Sequence, residues 1–322
     1  MSFMHPERLL LILGVVALAA GYLVVWRPRT AALARWAQPH LQDRVAPNRS
    51  GAKRHVAPAL ALAALSLVLI SAAQPTRPER VPRKRGIVVL TIDTSLSMNA
   101  TDIGPNRMQA AIAGASAFVD QLPDGIEVGL VAFDSDARLL VSPTTDHGAV
   151  KASIATLQTN ERTATGEGIY TSLDAITTTL AKDGDSIDGK TGDKVPAAIV
   201  LLSDGVPTVG RSVDDAAAAA DAAKVPVSTI AYGTPNGTLT MDGETVSVAA
   251  DPATMTRVAQ ATGGKSFEAK SATELEDVYA DIQTTIGYET VPREVGRAVL
   301  GGAFAVLLVA GAYAVATSAR PL

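Results

Sequence analysis

Residues 86–97 read G-I-V-V-L-T-I-D-T-S-L-S. An acid and two hydroxyls, Asp93, Ser95 and Ser97, stand at alternate positions where an apolar, β-branched run ends. Alternate residues leaving an extended segment point the same way, so one carboxylate and two hydroxyls converge beyond the strand's carboxyl end. Three hard oxygen donors suit Mg²⁺, or Mn²⁺, better than zinc or copper. Alone, the pattern is weak, because serines after a strand are frequently helix caps.

Two other segments carry the same kind of chemistry. Leu201-Leu202-Ser203-Asp204-Gly205 is a second apolar strand ending in an acid; its bland reading is an Asx-turn. Arg162-Thr163-Ala164-Thr165-Gly166-Glu167-Gly168 opens a helix. Its bland reading is an N-cap at Thr163 or Thr165, followed by glycines for a tight turn. Asp102 reads as a solvent-facing acid, with hydrogen bonding to the site from behind the ligands as the alternative, and Glu167 as solvent-facing and not a ligand.

The elements that position these residues alternate. A near-continuous apolar run beginning at Gly86 has the pattern of a parallel strand buried on both faces. Further strands are expected over 126–133, 139–142, 197–202, 225–232 and 265–267. Helices are expected over 107–122, 146–157, 166–180, 213–223, 252–262 and 271–286, with 182–194 as a surface loop. A hairpin across 237–248 turns at Asp242-Gly243. Ser271, followed by Glu274 at capping-box spacing, starts the last helix. Alternation of this kind marks an α/β, doubly wound, mainly parallel sheet, and such sheets hold ligands at the carboxyl ends of their strands.

With these elements in place, residues 86–286 resemble the von Willebrand factor A (VWA) domain family with its metal-ion-dependent adhesion site. The D-x-S-x-S, T-x-x-G-x-G and strand-ending S-D-G segments stand in the family's order. The whole chain resembles the actinobacterial membrane-anchored, Bat-type members. The resemblance implies a Rossmann-like VWA fold and a metal site at Asp93, Ser95, Ser97, Thr163 and Asp204. In it the two serines, and Thr163 in the ligand-bound arrangement, bind Mg²⁺ directly, and the two acids act mostly through water. An open coordination position would take a carboxylate from a partner protein. It also implies a link to MoxR-like AAA+ ATPases. In related domains, ligand binding displaces the last helix. Here that helix leads through 287–297 into an apolar run, so occupancy of the site is expected to bias that run.

Composition agrees with an anchored protein. Hydrophobic residues make up 47% of the 322, high for a purely soluble chain. Residues 9–26, 56–73 and 298–317 are apolar runs read as three membrane spans. The first is too long for a signal-peptide core, and its Ala17-Leu18-Ala19 lies inside the run. The chain then divides into 1–85, an anchor with two spans and a basic loop, 86–286, the VWA domain, and 287–322, a linker and third span. Three crossings would put the termini on opposite sides. The stretch 74–85, with three prolines, reads as a stiff extended linker. Cations flanking the spans tie at eight on each side. The compact basic loop over 27–55 favours loop-inside, with the VWA domain extracytoplasmic on a multi-pass cell-membrane anchor.

Charge and residue types exclude several functions. Residues 86–292 carry 12 Lys+Arg against 28 Asp+Glu, a net of −16, while the rest carries 16 against 4. An acidic globule argues against nucleic acid, which needs clustered cations. With no cysteine, disulfides and thiolate chemistry are absent. His147 is the one histidine of the globular part, and there is no G-x-S-x-G elbow and no P-loop. A binding module is therefore expected and not an enzyme; a metal-dependent hydrolase and a regulatory subunit of a MoxR-like ATPase are the alternatives. The spans hold no ionisable residue to mark a transport path.

Overall fold

The computed structural model describes residues 2–36, 55–187, 189–190, 192–204, 207–241 and 244–318. The chain forms two compact units, Met1–Arg80 with Thr290–Leu322, and Val81–Glu289.

In the first unit a short strand, β1 (Ser2–Phe3), precedes a 3₁₀ turn and helix α1 (Ile12–Trp36). Helix α2 (Val56–Ala72) follows, then strand β2 (Pro75–Pro82). Bulky apolar side chains face outward: Leu18 is 59% exposed and Phe304 62%. Among the few buried positions are Ala64, Ala303 and Ala310. This is the reverse of a water-soluble bundle and suits helices solvated by lipid, whose contacts use small residues.

Two helical segments, Pro6–Val25 and Gly296–Thr317, are long and apolar enough to cross a membrane. The expected third, 56–73, is corrected: α2 has 17 residues. At about 1.5 Å per residue it reaches roughly 26 Å, short of the ~30 Å hydrocarbon core. It stops because Gln74 takes a left-handed φ of 51° and Pro75 opens a strand. The inference that three crossings separate the termini loses its premise. The basic loop begins later than expected, because α1 continues through Arg27, Arg29 and Arg35; residues 37–54 lie outside the described ones.

The proline-rich stretch is not a free linker. β2 pairs antiparallel with β1, placing Ser2 opposite Thr76 and Phe3 opposite Pro75. Arg8 Nη1 donates to the carbonyl of Ala72 at 2.9 Å, closing the end of α2.

The second unit is a six-stranded sheet. β3 (Gly86–Asp93), α3 (Arg107–Gln121), β4 (Ile126–Phe133), β5 (Ala137–Thr144), α4 (His147–Ile154), α5 (Thr165–Asp183) and β6 (Ala197–Ser203) come first. Then come α6 (Val213–Ala222), β7 (Val227–Tyr232), the hairpin β8 (Thr238–Met241) and β9 (Glu244–Ser247), α7 (Pro252–Thr262), β10 (Ser266–Ala269) and α8 (Ala272–Ile286). The order is β10-β7-β6-β3-β4-β5, all parallel except the edge strand β5. The expected doubly wound sheet is present. Alternation along β3 sends Val88, Leu90 and Ile92 to a core with α3, α4 and α8, and Ile87 and Val89 to one with α5, α6 and α7. The hairpin forms as expected, but its turn, Asp242-Gly243, lies outside the described residues. Ser271 caps α8 by accepting from the Glu274 amide at 3.1 Å; Glu274 in turn accepts from the Lys270 amide and not from Ser271.

The last helix does not run into the final apolar helix. It ends at Ile286, and strand β11 (Tyr288–Glu294) intervenes before α9 (Gly296–Ser318). β11 takes its place beside β2, in the order β1-β2-β11, and the Val295 amide donates to the Pro75 carbonyl at 2.9 Å. Any coupling between site and span therefore passes through a strand. Because β1 and β2 pair, single cysteines placed at Ser2 and Arg77 of this cysteine-free chain should both react with a membrane-impermeant maleimide in intact cells, or both be protected. Reaction at one position alone would contradict the pairing.

Candidate metal site

The site lies where the sheet changes winding direction. β3 is flanked by β4 on one side and β6 on the other, and Ile92 is in register with Leu202. Parallel pairing brings both carboxyl ends to one edge, so Asp93 and Asp204 face one crevice.

Asp93, the last residue of β3, is wholly buried. Its Oδ1 accepts the Ser95 amide at 2.9 Å, and its Oδ2 accepts the Ser203 hydroxyl. Ser95 occupies the N-cap position of a 3₁₀ turn, Leu96–Asn99, yet makes no capping bond. Its hydroxyl instead lies 2.9 Å from that of Ser97. Asp204 is buried just past β6, and its Oδ2 accepts from Arg107 Nη1 at 3.0 Å. Burial, and then the charge of Asp204, push Asp93 up to about 7 against the hydrogen bonds from Ser203 and Ser95. Burial also raises Asp204, opposed by hydrogen bonds from Ser97 and Arg107.

Four of the expected residues, Asp93, Ser95, Ser97 and Asp204, are thus joined by direct contact or charge. Thr163 is connected only through intermediaries. It is buried, its amide donates to Thr208 Oγ1 at 3.0 Å, and its carbonyl accepts the Thr208 amide. The next residue, Ala164, donates to the carbonyl of Asp134, whose carboxylate accepts from Thr94 and Asn160. Neither Thr163 nor Thr165 caps α5; Ala164 holds that position without a side-chain bond, and the Thr165 hydroxyl is buried without a partner. Gly166 and Gly168 lie inside α5, not in a turn. A Cβ at Gly166 would meet the Arg211 carbonyl at 2.2 Å, and one at Gly168 would meet Phe133 at 2.9 Å, so close approach explains them.

The donor set fits a hard divalent cation. It consists of carboxylate and hydroxyl oxygens around two buried acids that repel one another, with a guanidinium on only one. Among the described residues no cluster of three or more His, Cys, Asp or Glu is placed to hold a metal ion.

Residues 88–206 match the family description of the von Willebrand factor type A domain, a span that contains all five candidate residues. The UPF0353 protein of Mycobacterium marinum (strain ATCC BAA-535 / M) is 43% identical over 323 residues, covering 97% of this chain and 93% of that protein. The UPF0353 protein of Mycolicibacterium paratuberculosis (strain ATCC BAA-968 / K-10) is 43% identical over 297 residues, covering 90% and 87%. The chain belongs to the UPF0353 family. A solved aerotolerance-related membrane protein from Bacteroides fragilis NCTC 9343, carrying multiple mutations to serine, shares the fold. It aligns with a TM-score of 0.53 at 20% identity, over 62% of this chain and 99% of that one. The resemblance to VWA domains stands.

Two acids of the UPF0353 chain sit differently from expectation. Asp102 is not a solvent-facing acid: it grips Arg107 through both oxygens, at 2.8 and 2.7 Å, and accepts from the Thr234 amide and hydroxyl. Burial alone would raise it, but these bonds hold it well below the usual carboxylate range. Glu167 is half-buried and forks onto Arg211, whose guanidinium stacks over Tyr170. It is not among the acids of the site. His147 hydrogen-bonds the Ile126 carbonyl at the opposite, amino end of β4, away from Asp93.

Sequence reading missed Arg107, the cation of the site. A signal was available: it is the first residue of α3, where a positive charge opposes the helix dipole and calls for a nearby acid.

The raised Asp93 fixes the sign of a pH effect. A carboxyl that titrates at about 7 folded and at about 4 unfolded binds more protons in the native state between those values. Its contribution favours the fold below about pH 4 and is lost as pH rises through about 7; Asp204 acts in the same direction. The thermal midpoint of the EDTA-treated protein should therefore fall from about pH 5 to about pH 8, and Asp93→Asn should flatten that fall. An equal slope in the variant would remove Asp93 as the group responsible.

Proposed function

We propose that this UPF0353 protein is a membrane-anchored, non-catalytic VWA module that binds an acidic group of a partner protein through Mg²⁺, with Mn²⁺ also suited. The site would be Asp93, Ser95, Ser97, Thr163 and Asp204, and the role assembly or scaffolding in the cell envelope. The observation that supports this is the pair of strand-end acids, Asp93 and Asp204, buried together beside the Ser95–Ser97 hydroxyl pair. A bound divalent cation supplies Lewis-acid attraction for an incoming carboxylate. The chain's own residues do the rest. Ser95 and Ser97 offer neutral oxygens, which leave the cation's charge largely uncompensated. Asp93 accepts from Ser95 and Ser203 and keeps lone pairs for ordered water. A binding role is favoured over histidine-assisted hydrolysis because the domain's one histidine is held at the far end of the sheet, away from the serines.

Depletion of the free Mn²⁺ resonance by the purified full chain tests this. Wild type should bind and Mg²⁺ should compete. Asp93→Ala should weaken binding by about tenfold or more, the loss of one of the site's two acids. Equal binding by the variant would sink the assignment, as would a wild type that leaves the resonance unchanged.

A further inference from the structure

Arg107 has the largest of the fully buried side chains. A lone buried guanidinium at a helix N-terminus is costly unless it is paired and hydrogen-bonded throughout. Here it is. Nε and Nη2 donate to Asp102, Nη1 to Asp204 Oδ2 at 3.0 Å, and Nη2 also to the Val248 carbonyl at 2.9 Å. Two glycines make room for it. A Cβ on Gly233 would lie 2.6 Å from Arg107 Cζ, and one on Gly237 would lie 2.1 Å from Nη2.

The same contacts reach out to the exposed hairpin. Asp102 holds the Thr234 amide and hydroxyl, just before β8. Arg107 holds Val248, just after β9. The Asp251 amide donates to the Asp204 carbonyl at 2.7 Å. One root of the β8–β9 hairpin is therefore fastened to Arg107 directly and the other through Asp102.

We propose that Arg107 is the positioning residue of this site: it claims one oxygen of Asp204, weakens the hold on a divalent cation, and links that hold to the β8–β9 hairpin. The proposal rests on the cation reading above. A guanidinium and a cation compete for Asp204, because fixed positive charge beside a carboxylate lowers its attraction for a second positive charge. The site then keeps its cation loosely and leaves its charge to be completed by a partner's acid. Displacement of Arg107 from Asp204 by a cation shifts the guanidinium that also holds Val248 and Asp102, so the hairpin registers which of the two Asp204 is holding.

Mn²⁺ affinity, read by the same resonance on the full chain, and hydrogen exchange of the β8 and β9 amides test this together. Arg107→Gln should bind Mn²⁺ about tenfold more tightly and exchange faster in the hairpin of the metal-free protein. Arg107→Lys keeps the charge but loses the fork; its affinity should stay within about threefold of wild type while the hairpin loosens. Asp102→Asn removes the acid that shares Arg107, so Mn²⁺ binding should weaken. A purely structural arginine predicts the reverse for Arg107→Gln, unchanged or weaker binding, and that result in folded protein overturns the proposal. If Arg107→Gln does not fold, unchanged affinity in Asp102→Asn overturns it. A wild type that binds no Mn²⁺ overturns this proposal and the cation reading together. A wild type that binds, with Arg107→Gln no tighter, overturns this one alone.

Discussion

Two carboxylates buried side by side are the constraint on which this domain's working edge is built. Parallel pairing of β3 and β6 sends both strand ends to one rim, and each ends in an acid. Burial raises the cost of ionising both, and the charge of Asp204 adds to that of Asp93. The fold answers with hydroxyls from Ser95, Ser97 and Ser203 and with one guanidinium, Arg107. The glycines at 233 and 237, the grip of Asp102 and the fastening of the hairpin roots all follow from placing that guanidinium in a space with no solvent.

The first unit obeys a different solvent. Its helices turn leucine, valine and phenylalanine outward and bury alanine, which is stable only if the surroundings are as apolar as the side chains. The segments that enter and leave the helices are gathered into one small sheet, β1-β2-β11. A three-residue proline content that reads as a spacer is compatible with that role because β1 pairs with β2 only at Pro75 and Thr76, and proline is tolerated where few ladder bonds are demanded.

Much of the second unit was legible from pattern. Continuous apolar runs marked the buried strands, 3.6-residue spacing marked the helices, and Ser271 with Glu274 marked the start of the last one. The departures have physical causes. A hydropathy run over 56–73 does not register that Gln74 turns left-handed and Pro75 starts a strand. A run from helix to span over 286–297 looks continuous until a pairing partner 200 or so residues earlier, β2, draws it into a strand. The alternative cap at Thr163 or Thr165 does not form, because Ala164 takes that position, and the glycines of α5 answer to neighbouring backbone and side chains, which spacing alone does not reveal.

What the sequence determined by itself is local: Asp93, Ser95 and Ser97 share a direction because a strand alternates, and Asp204 reaches the same edge because its strand is parallel. What the tertiary structure decided is which charges meet. Asp102 reads as a surface acid and Arg107 as an unremarked helix residue until the fold closes them on Asp204, a contact across 97 positions. Direction along one element is set by backbone geometry over a few residues. The partner of a buried charge is set by packing among segments that carry no mark of one another.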